Sequence, residues 1–330
     1  MKITLKKIIS PSLSLSTLLV IASIILWFVV FSTTTIDNPV DLDSPLSKAV
    51  ESILPAGLLT SITSLLLTLL NAFLIAQLNN RFTIIRNRTF IPSFVFILLM
   101  SVEGQTHQLP GAHFALTLLL IALFVFFNMF RDKQAAEQAF LGSLLIATGS
   151  LFIEPILLFL PVCWMGMMRF GSFSLRTFLA SVFGGLVPWI FYFAVRSYLE
   201  ADLLWINTLF NGFETGLTLL ERPVNELIYL ASMTLIIIIG LVGLYSNLHS
   251  DSIQSRAKLN FLTIILIFSF VFSIVFVNCY AVFIPFTLMA YAILIAHPLT
   301  LKPNGFYAIV FIVFIIANLA YLVSNILIQQ

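Results

Sequence analysis

Asp37, Asp41 and Asp43 form the densest group of acids in the chain. They lie in the stretch STTTIDNPVDLDSPLSKAVESILP at 32–55, which also carries Glu51 and one cation, Lys48. Asp41-x-Asp43, with Asp37 close by, has the groups for two kinds of chemistry. One carboxylate could take a proton from an acceptor hydroxyl as a general base. Together they could hold a divalent cation through hard oxygen ligands. The plainer role is structural: a solvated loop carries acids in any case, and Ser44 or Asp43 would cap a helix that has Pro45 in its first turn. Glu154 is a second candidate. It stands before Pro155 in the middle of the apolar run FLGSLLIATGSLFIEPILLFLPVCWMGMMRF at 140–170. A carboxylate held inside a membrane marks a functional site by default. One that reaches the headgroups is simply solvated. A third group is Glu103, His107 and His113 in EGQTHQLPGAH. Glu103 and His107 are one helical turn apart if the preceding helix continues, and could then share a ligand or a metal. Gly104, Pro110 and Gly111 favour a turn instead.

Other chemistries lack their residues. There is no Walker loop, no H-E-x-x-H, no G-x-S-x-G and no haem-type histidine pair. Cys163 and Cys279 both lie in or beside apolar runs, too few for a disulfide framework or a zinc cluster. His249 and His297 read as interfacial residues. Arg81, Arg86 and Arg88 make a basic patch that suits anionic lipid headgroups or a cytoplasmic turn. A net charge of +2 gives no case for nucleic acid.

The elements that must position these residues are membrane helices. The chain has 330 residues, 60% of them hydrophobic and 9% charged, with a mean hydropathy of +1.08. A soluble domain carries about 25% charge, so most of this surface must face hydrocarbon. The 33 phenylalanines fit lipid-facing helices. Met1–Lys7 followed by an apolar run resembles a signal peptide, but no small-x-small site follows Phe31, and the run is expected to stay as a first helix. Apolar runs near the ~20 residues of a span recur at about 13–31, 56–78, 90–102, 112–130, 178–195, 227–246, 261–278, 280–297 and 306–325. As one helix, 140–170 would be about 46 Å long, too long for a hydrocarbon core of about 30 Å, and Glu154–Pro155 would sit at its centre. Two short helices meeting at Glu154–Pro155 are expected.

Charge bias supports the pair. With two spans there, about eleven in all, and a cytoplasmic N-terminus, 13 Lys and Arg fall inside and 3 outside. With one span the split is 10 to 6. The expected architecture is therefore an all-α polytopic bundle, one integral membrane domain over 1–330. It has a first outer loop at 32–55, a short helical pair at 140–170 and a second outer segment at 196–226. Ser44–Ile53 would form a short helix along the outer interface. Asn71, Asn128, Asn278 and Asn318, near span ends, would join helices by hydrogen bonds.

The run AFLGSLLIATGSLFIEPILLFLPVCWMGMMRFGSFSLRTFLASVFGGLVPWIFYFAV resembles the middle of GT-C-type glycosyltransferases. There, a short helical pair is followed by a basic cytoplasmic turn and a Gly-Pro-containing helix. The resemblance covers about a fifth of the chain. It implies a base just after the first span, at Asp37, Asp41 or Asp43, and a polyprenyl-phosphate-linked sugar taken from the outer leaflet. In that scheme Lys48, Arg196 or Arg222 would meet the donor phosphate. Glu154 would line the donor cavity or help bind a metal, and His107 would contact substrate. The chain departs from the family in its short first outer loop and in lacking a soluble domain after the last run. It also resembles a family of bacterial polytopic inner-membrane proteins to which no activity attaches. Two other classes stay open: a lipid or small-solute transporter or flippase working through Glu154, and a scaffold subunit of an envelope complex.

Overall fold

A computed structural model describes residues 13–33, 44–54, 57–86, 89–199, 224–276, 280–301 and 305–328. Asp37, Asp41, Asp43, Arg222, Asn278 and Cys279 lie outside the described residues. The regular structure of the described residues is helical throughout. The α-helices are α1 (Leu13–Thr33), α2 (Pro45–Ile53), α3 (Leu58–Phe82), α4 (Ile91–Val102), α5 (Pro110–Phe127), α6 (Ala136–Ser150), α7 (Phe159–Phe170), α8 (Leu175–Leu199), α9 (Val224–Asn247), α10 (Ile253–Val275), α11 (Tyr280–Leu301) and α12 (Gly305–Ile328). Seven of them, α3, α5 and α8 to α12, are long and apolar enough to cross a membrane, as in a multi-pass membrane protein.

Proline and left-handed residues set several of the helix ends. Pro45, Pro92 and Pro110 stand in the first turns of α2, α4 and α5, where the missing N–H would be unpaired anyway. Pro110 and Gly111 thus open α5 rather than break it. Thr83 (φ 46°) and Gly171 (φ 68°) end α3 and α7 in the left-handed conformation.

Residues 140–170 form the expected pair. α6 is followed by a 3₁₀ turn at Glu154–Leu158 and then by α7. The two helices have 15 and 12 residues, about 22 and 18 Å at 1.5 Å per residue. Leu46 N–H donates to Leu151 O at 2.9 Å, which places the turn beside α2. Arg131 N–H donates to Phe170 O at 2.9 Å, which places the far end of α7 beside the end of α5. The bundle therefore has two unlike ends. One holds α2, the Glu103–Leu109 turn, the Glu154 turn and the start of α9. Gly57 N–H donates to Gln108 Oε1 there at 3.3 Å, and Gln105 Nε2 to Glu226 Oε1 at 3.5 Å. The other end gathers Arg86, Arg131, Lys133, Arg256 and Lys258. Arg86 donates to Ser250 O at 3.3 Å, Ser174 Oγ to Lys133 O at 3.0 Å and Ser255 Oγ to Thr83 O at 3.0 Å.

α11 is the central post, with 89% of its apolar window buried against 17% for α8. It packs on α4, α5, α9 and α10. α8 is peripheral and lies mainly against α6. Two features correct the sequence reading. Phenylalanine is not only a lipid-facing residue here: Phe127, Phe170 and Phe261 meet edge-to-face inside the bundle, with centroids 5.3 to 6.4 Å apart. His297 is not interfacial but fully buried, its Nε2 2.9 Å from Asp251 Oδ2. The asparagines divide. Asn71 and Asn318 do join helices, whereas Asn128 is exposed and donates to Phe124 O of its own helix. Lys258 is 1% exposed. Its ammonium donates to Phe82 O at 3.3 Å and lies 4.7 Å from the Phe82 ring centroid.

Candidate functional site

The third sequence group folds into a buried polar nest. Glu103 ends α4, a 3₁₀ turn occupies Gly104–Gln108, and His113 lies in the first turns of α5. Trp27 of α1 stacks on His107 with centroids 3.5 Å apart and planes 12° from parallel, and its indole N–H donates to Ser61 Oγ at 2.9 Å. His107 Nε2 donates to Met100 O at 3.1 Å, which fixes the tautomer. Nδ1 is then an acceptor, enclosed and with no hydrogen-bond partner in the structure. Burial, helped by His113 close by, pushes the ring down from 6.5 to about 3, against the pull of the Met100 carbonyl. His107 is thus a neutral ring.

His113 is held by three elements. Its Nε2 donates to Thr106 O at 3.1 Å, so Nδ1 accepts from Thr68 Oγ1 at 3.2 Å. The same hydroxyl is 2.8 Å from Ser64 O, and its one proton is shared between two acceptors. Asn71 Nδ2 donates to His113 O at 3.2 Å, and Thr117 Oγ1 donates to Asn71 Oδ1 at 2.8 Å. These bonds join α1, α3, α5 and the 3₁₀ turn around a buried polar core.

Beside the nest lies an apolar cavity of about 210 Å³ between α9, α10 and α11, with Leu99 and Glu103 from the end of α4 in its lining. Its wall runs along α9 from Tyr229 to Leu241, about 18 Å at 1.5 Å per residue. Met233, Ile237, Leu266 and Ile284 supply apolar wall. Glu103 is 5% exposed and is the one charged residue of the lining among the described residues. It lies close enough to Tyr229 to interact with it electrostatically. Tyr229 donates its hydroxyl to Asn318 Oδ1 at 2.9 Å and stacks on Tyr321 with centroids 3.9 Å apart.

The remaining candidates are dispersed. Glu154 is 2% exposed, enclosed in its 3₁₀ turn and away from the cavity wall. Lys48 is exposed on α2, at the same end of the bundle as Glu154. Arg196 is half-buried near the end of α8. Asp37, Asp41, Asp43 and Arg222 lie outside the described residues. Among the described residues no three of His, Cys, Asp and Glu come together as a metal site. Sequence reasoning missed Trp27, Thr68 and Tyr229. The polar face Ser61, Ser64, Thr68 and Asn71 on an otherwise apolar run was the available signal, since its 3–4 residue spacing puts it on one side of α3. No family model, no curated protein and no solved structure matches the chain.

Proposed function

We propose that the protein is a GT-C-like glycosyltransferase of the bacterial inner membrane, acting at the outer face on a lipid-linked sugar. The observation that supports this reading is the cavity of about 210 Å³ between α9, α10 and α11. It is apolar along its length and lies between membrane helices, the shape needed to draw one hydrocarbon chain of a lipid-linked donor out of the bilayer. The chain then makes eleven passes, with α1, α4, α6 and α7 added to the seven long helices, and its basic end faces the cytoplasm. Asp37, Asp41 and Asp43 serve at the outer face as base or as ligands of a divalent cation. Lys48, Arg196 and Arg222 meet the donor phosphate. The test uses full-length protein in phosphatidylcholine vesicles with a labelled polyprenyl-phosphate sugar. Thr234→Phe, which fills the cavity, should lower transfer at least tenfold, and the triple Asp37→Asn, Asp41→Asn, Asp43→Asn variant should abolish it at unchanged expression. Undiminished transfer in both would overturn the reading.

Glu154 favours a second reading, as a transporter or flippase for a lipid or small solute. A carboxylate 2% exposed at the break of a short helical pair is the arrangement in which intramembrane acids carry charge or solute. Under that reading Glu154→Gln stops transport, while the three loop aspartates are dispensable.

A further inference from the structure

At the basic end of the bundle, the loop from α5 to α6 meets the loop from α7 to α8. Arg131 N–H donates to Phe170 O at 2.9 Å, which sets Arg131 beside Arg169. Ser174 Oγ donates to Lys133 O at 3.0 Å, which sets Lys133 near Arg176. All four cationic residues are exposed. Among the described residues no hydrogen bond or ion pair takes up any of the four side chains; Arg131 has only the Phe130 ring, 5.5 Å from its guanidinium to the centroid. The two acids nearby, Asp132 and Glu137, have local tasks. Asp132 Oδ1 accepts from Gln134 N–H at 2.8 Å, and Glu137 suits the first turn of α6. Four cations against two acids leave an excess of two positive charges. Other cations of this end are engaged: Arg86 with Ser250 O, Arg256 with Asp251 O at 2.9 Å, and Lys258 with Phe82.

Local physics accounts for one of these cations and not for two others. Arg169 in the last turn of α7 suits the helix dipole. Arg131 has φ 62°, a left-handed backbone that glycine would adopt without strain. Arg176 stands in the first turn of α8, where the dipole disfavours a cation. The cap of α8 does not use it. Ser174 N–H donates to Thr177 Oγ1 at 2.9 Å, and Thr177 N–H donates back to Ser174 Oγ at 3.2 Å. Like charges gathered without partners also repel. A general excess of Lys and Arg on one side of a membrane does not call for an arginine at a left-handed position. Residues that break local rules in this way mark functional sites.

The surroundings narrow the partner. Met168, Leu175 and Leu179, beside the four cations in sequence, are 45 to 74% exposed. The patch lies where two helices of spanning length, α5 and α8, end and begin. Cations and open apolar side chains thus stand side by side, as they do where hydrocarbon gives way to water. A soluble phosphate would meet the charge and leave the apolar residues uncovered. An anionic phospholipid supplies both a phosphate and chains. We infer that the junction of these two loops binds an anionic phospholipid. Arg131, Lys133, Arg169 and Arg176 meet its phosphate, and Met168, Leu175 and Leu179 meet its chains. The inference is independent of the transferase reading and of the cavity between α9, α10 and α11.

The test is photo-crosslinking of full-length protein in phosphatidylcholine vesicles that carry phosphatidylglycerol with a diazirine in its acyl chain. Labelled peptides should map to 168–179, and unlabelled phosphatidylglycerol should compete at least tenfold better than added phosphatidylcholine or soluble glycerol 3-phosphate. The double variant Arg131→Gln, Arg176→Gln should lower that labelling about tenfold. Arg131→Gly removes the charge and relieves the backbone together. It should lower labelling several-fold while the thermal midpoint in detergent holds or rises, whereas a merely structural Arg131 would lose stability. Equal competition by phosphatidylcholine would show that the head-group charge is not read. Equal competition by glycerol 3-phosphate would give the patch to a soluble anion. Either result, even labelling of all the helices, or full labelling of the double variant would overturn the assignment.

Discussion

Gly184 and Gly185 are neighbours on α8, and the same substitution should have opposite effects at the two. A Cβ at Gly184 would overlap the carbonyl oxygen of Phe140 on α6, with the carbonyl carbon at 3.0 Å and Cα at 3.1 Å. These are backbone atoms of a packed helix and can yield only if α6 and α8 separate. A Cβ at Gly185 would meet one methyl of Leu160 at 2.8 Å, with its next neighbours at 3.9 and 4.0 Å. That methyl is the end of a flexible side chain and can rotate away. Overpacking costs about 1–3 kcal/mol, and Ala gains about 0.8–1.0 kcal/mol over Gly in a helix interior. Gly184→Ala should therefore lose up to about 2 kcal/mol net, while Gly185→Ala should be neutral or gain a few tenths. Because α8 rests mainly on α6, the loss should be local. Thermal unfolding in detergent should fall by a few degrees for Gly184→Ala only. Hydrogen exchange should rise over 175–199 before the rest of the bundle. Equal behaviour of the two variants would refute the backbone-contact account.

Two further outcomes follow from buried polar groups. His107 is held at about 3 when folded against 6.5 when free, so between those values the unfolded chain takes up a proton that the folded chain does not. Its contribution is whole above pH 6.5 and is lost as pH falls toward 3, by up to about 4–5 kcal/mol. His107→Phe, which keeps a ring against Trp27, should flatten that slope in denaturant titrations at pH 7 and pH 4.5, and an unchanged slope would count against it. Asp251→Ala leaves buried His297 without its hydrogen-bond partner and should cost about 1–3 kcal/mol. Adding His297→Phe should recover part of that, and strict additivity in thermal unfolding would disprove the coupling.

Much of the helical layout was legible because hydrocarbon imposes its own length scale. The pair at 140–170 could be read from a run too long for one span with Glu154–Pro155 at its middle, and the structure breaks there. The two unlike ends were legible in the distribution of Lys and Arg. The site was legible only in fragments. Glu103, His107 and His113 are close in sequence, but Trp27, Thr68 and Tyr229 reach them from three other helices, and no periodicity encodes which helix faces which. His297 shows the same limit. Its sequence neighbours place it near a helix end, while it is fully buried and its partner, Asp251, lies 46 residues away. Leu99 and Glu103 come to line the cavity because α4 packs on α11, a tertiary fact with no local signature.

The contact of Lys258 with Phe82 has a consequence for the order in which the chain is made. The last carbonyls of α3 have no partner within their own helix. Two of the groups that reach this terminus are Lys258 Nζ at Phe82 O and Ser255 Oγ at Thr83 O, 176 and 172 residues further along the chain. While a nascent chain is shorter than that, both carbonyls depend on water or headgroups for their bonds. The basic end of α3 thus stays unfinished through the insertion of six later helices, and α10 completes it on arrival. A stop anywhere before residue 253 would leave an early helix unclosed as well as later ones missing, a visible mark by which quality control could tell a partial chain from a whole one.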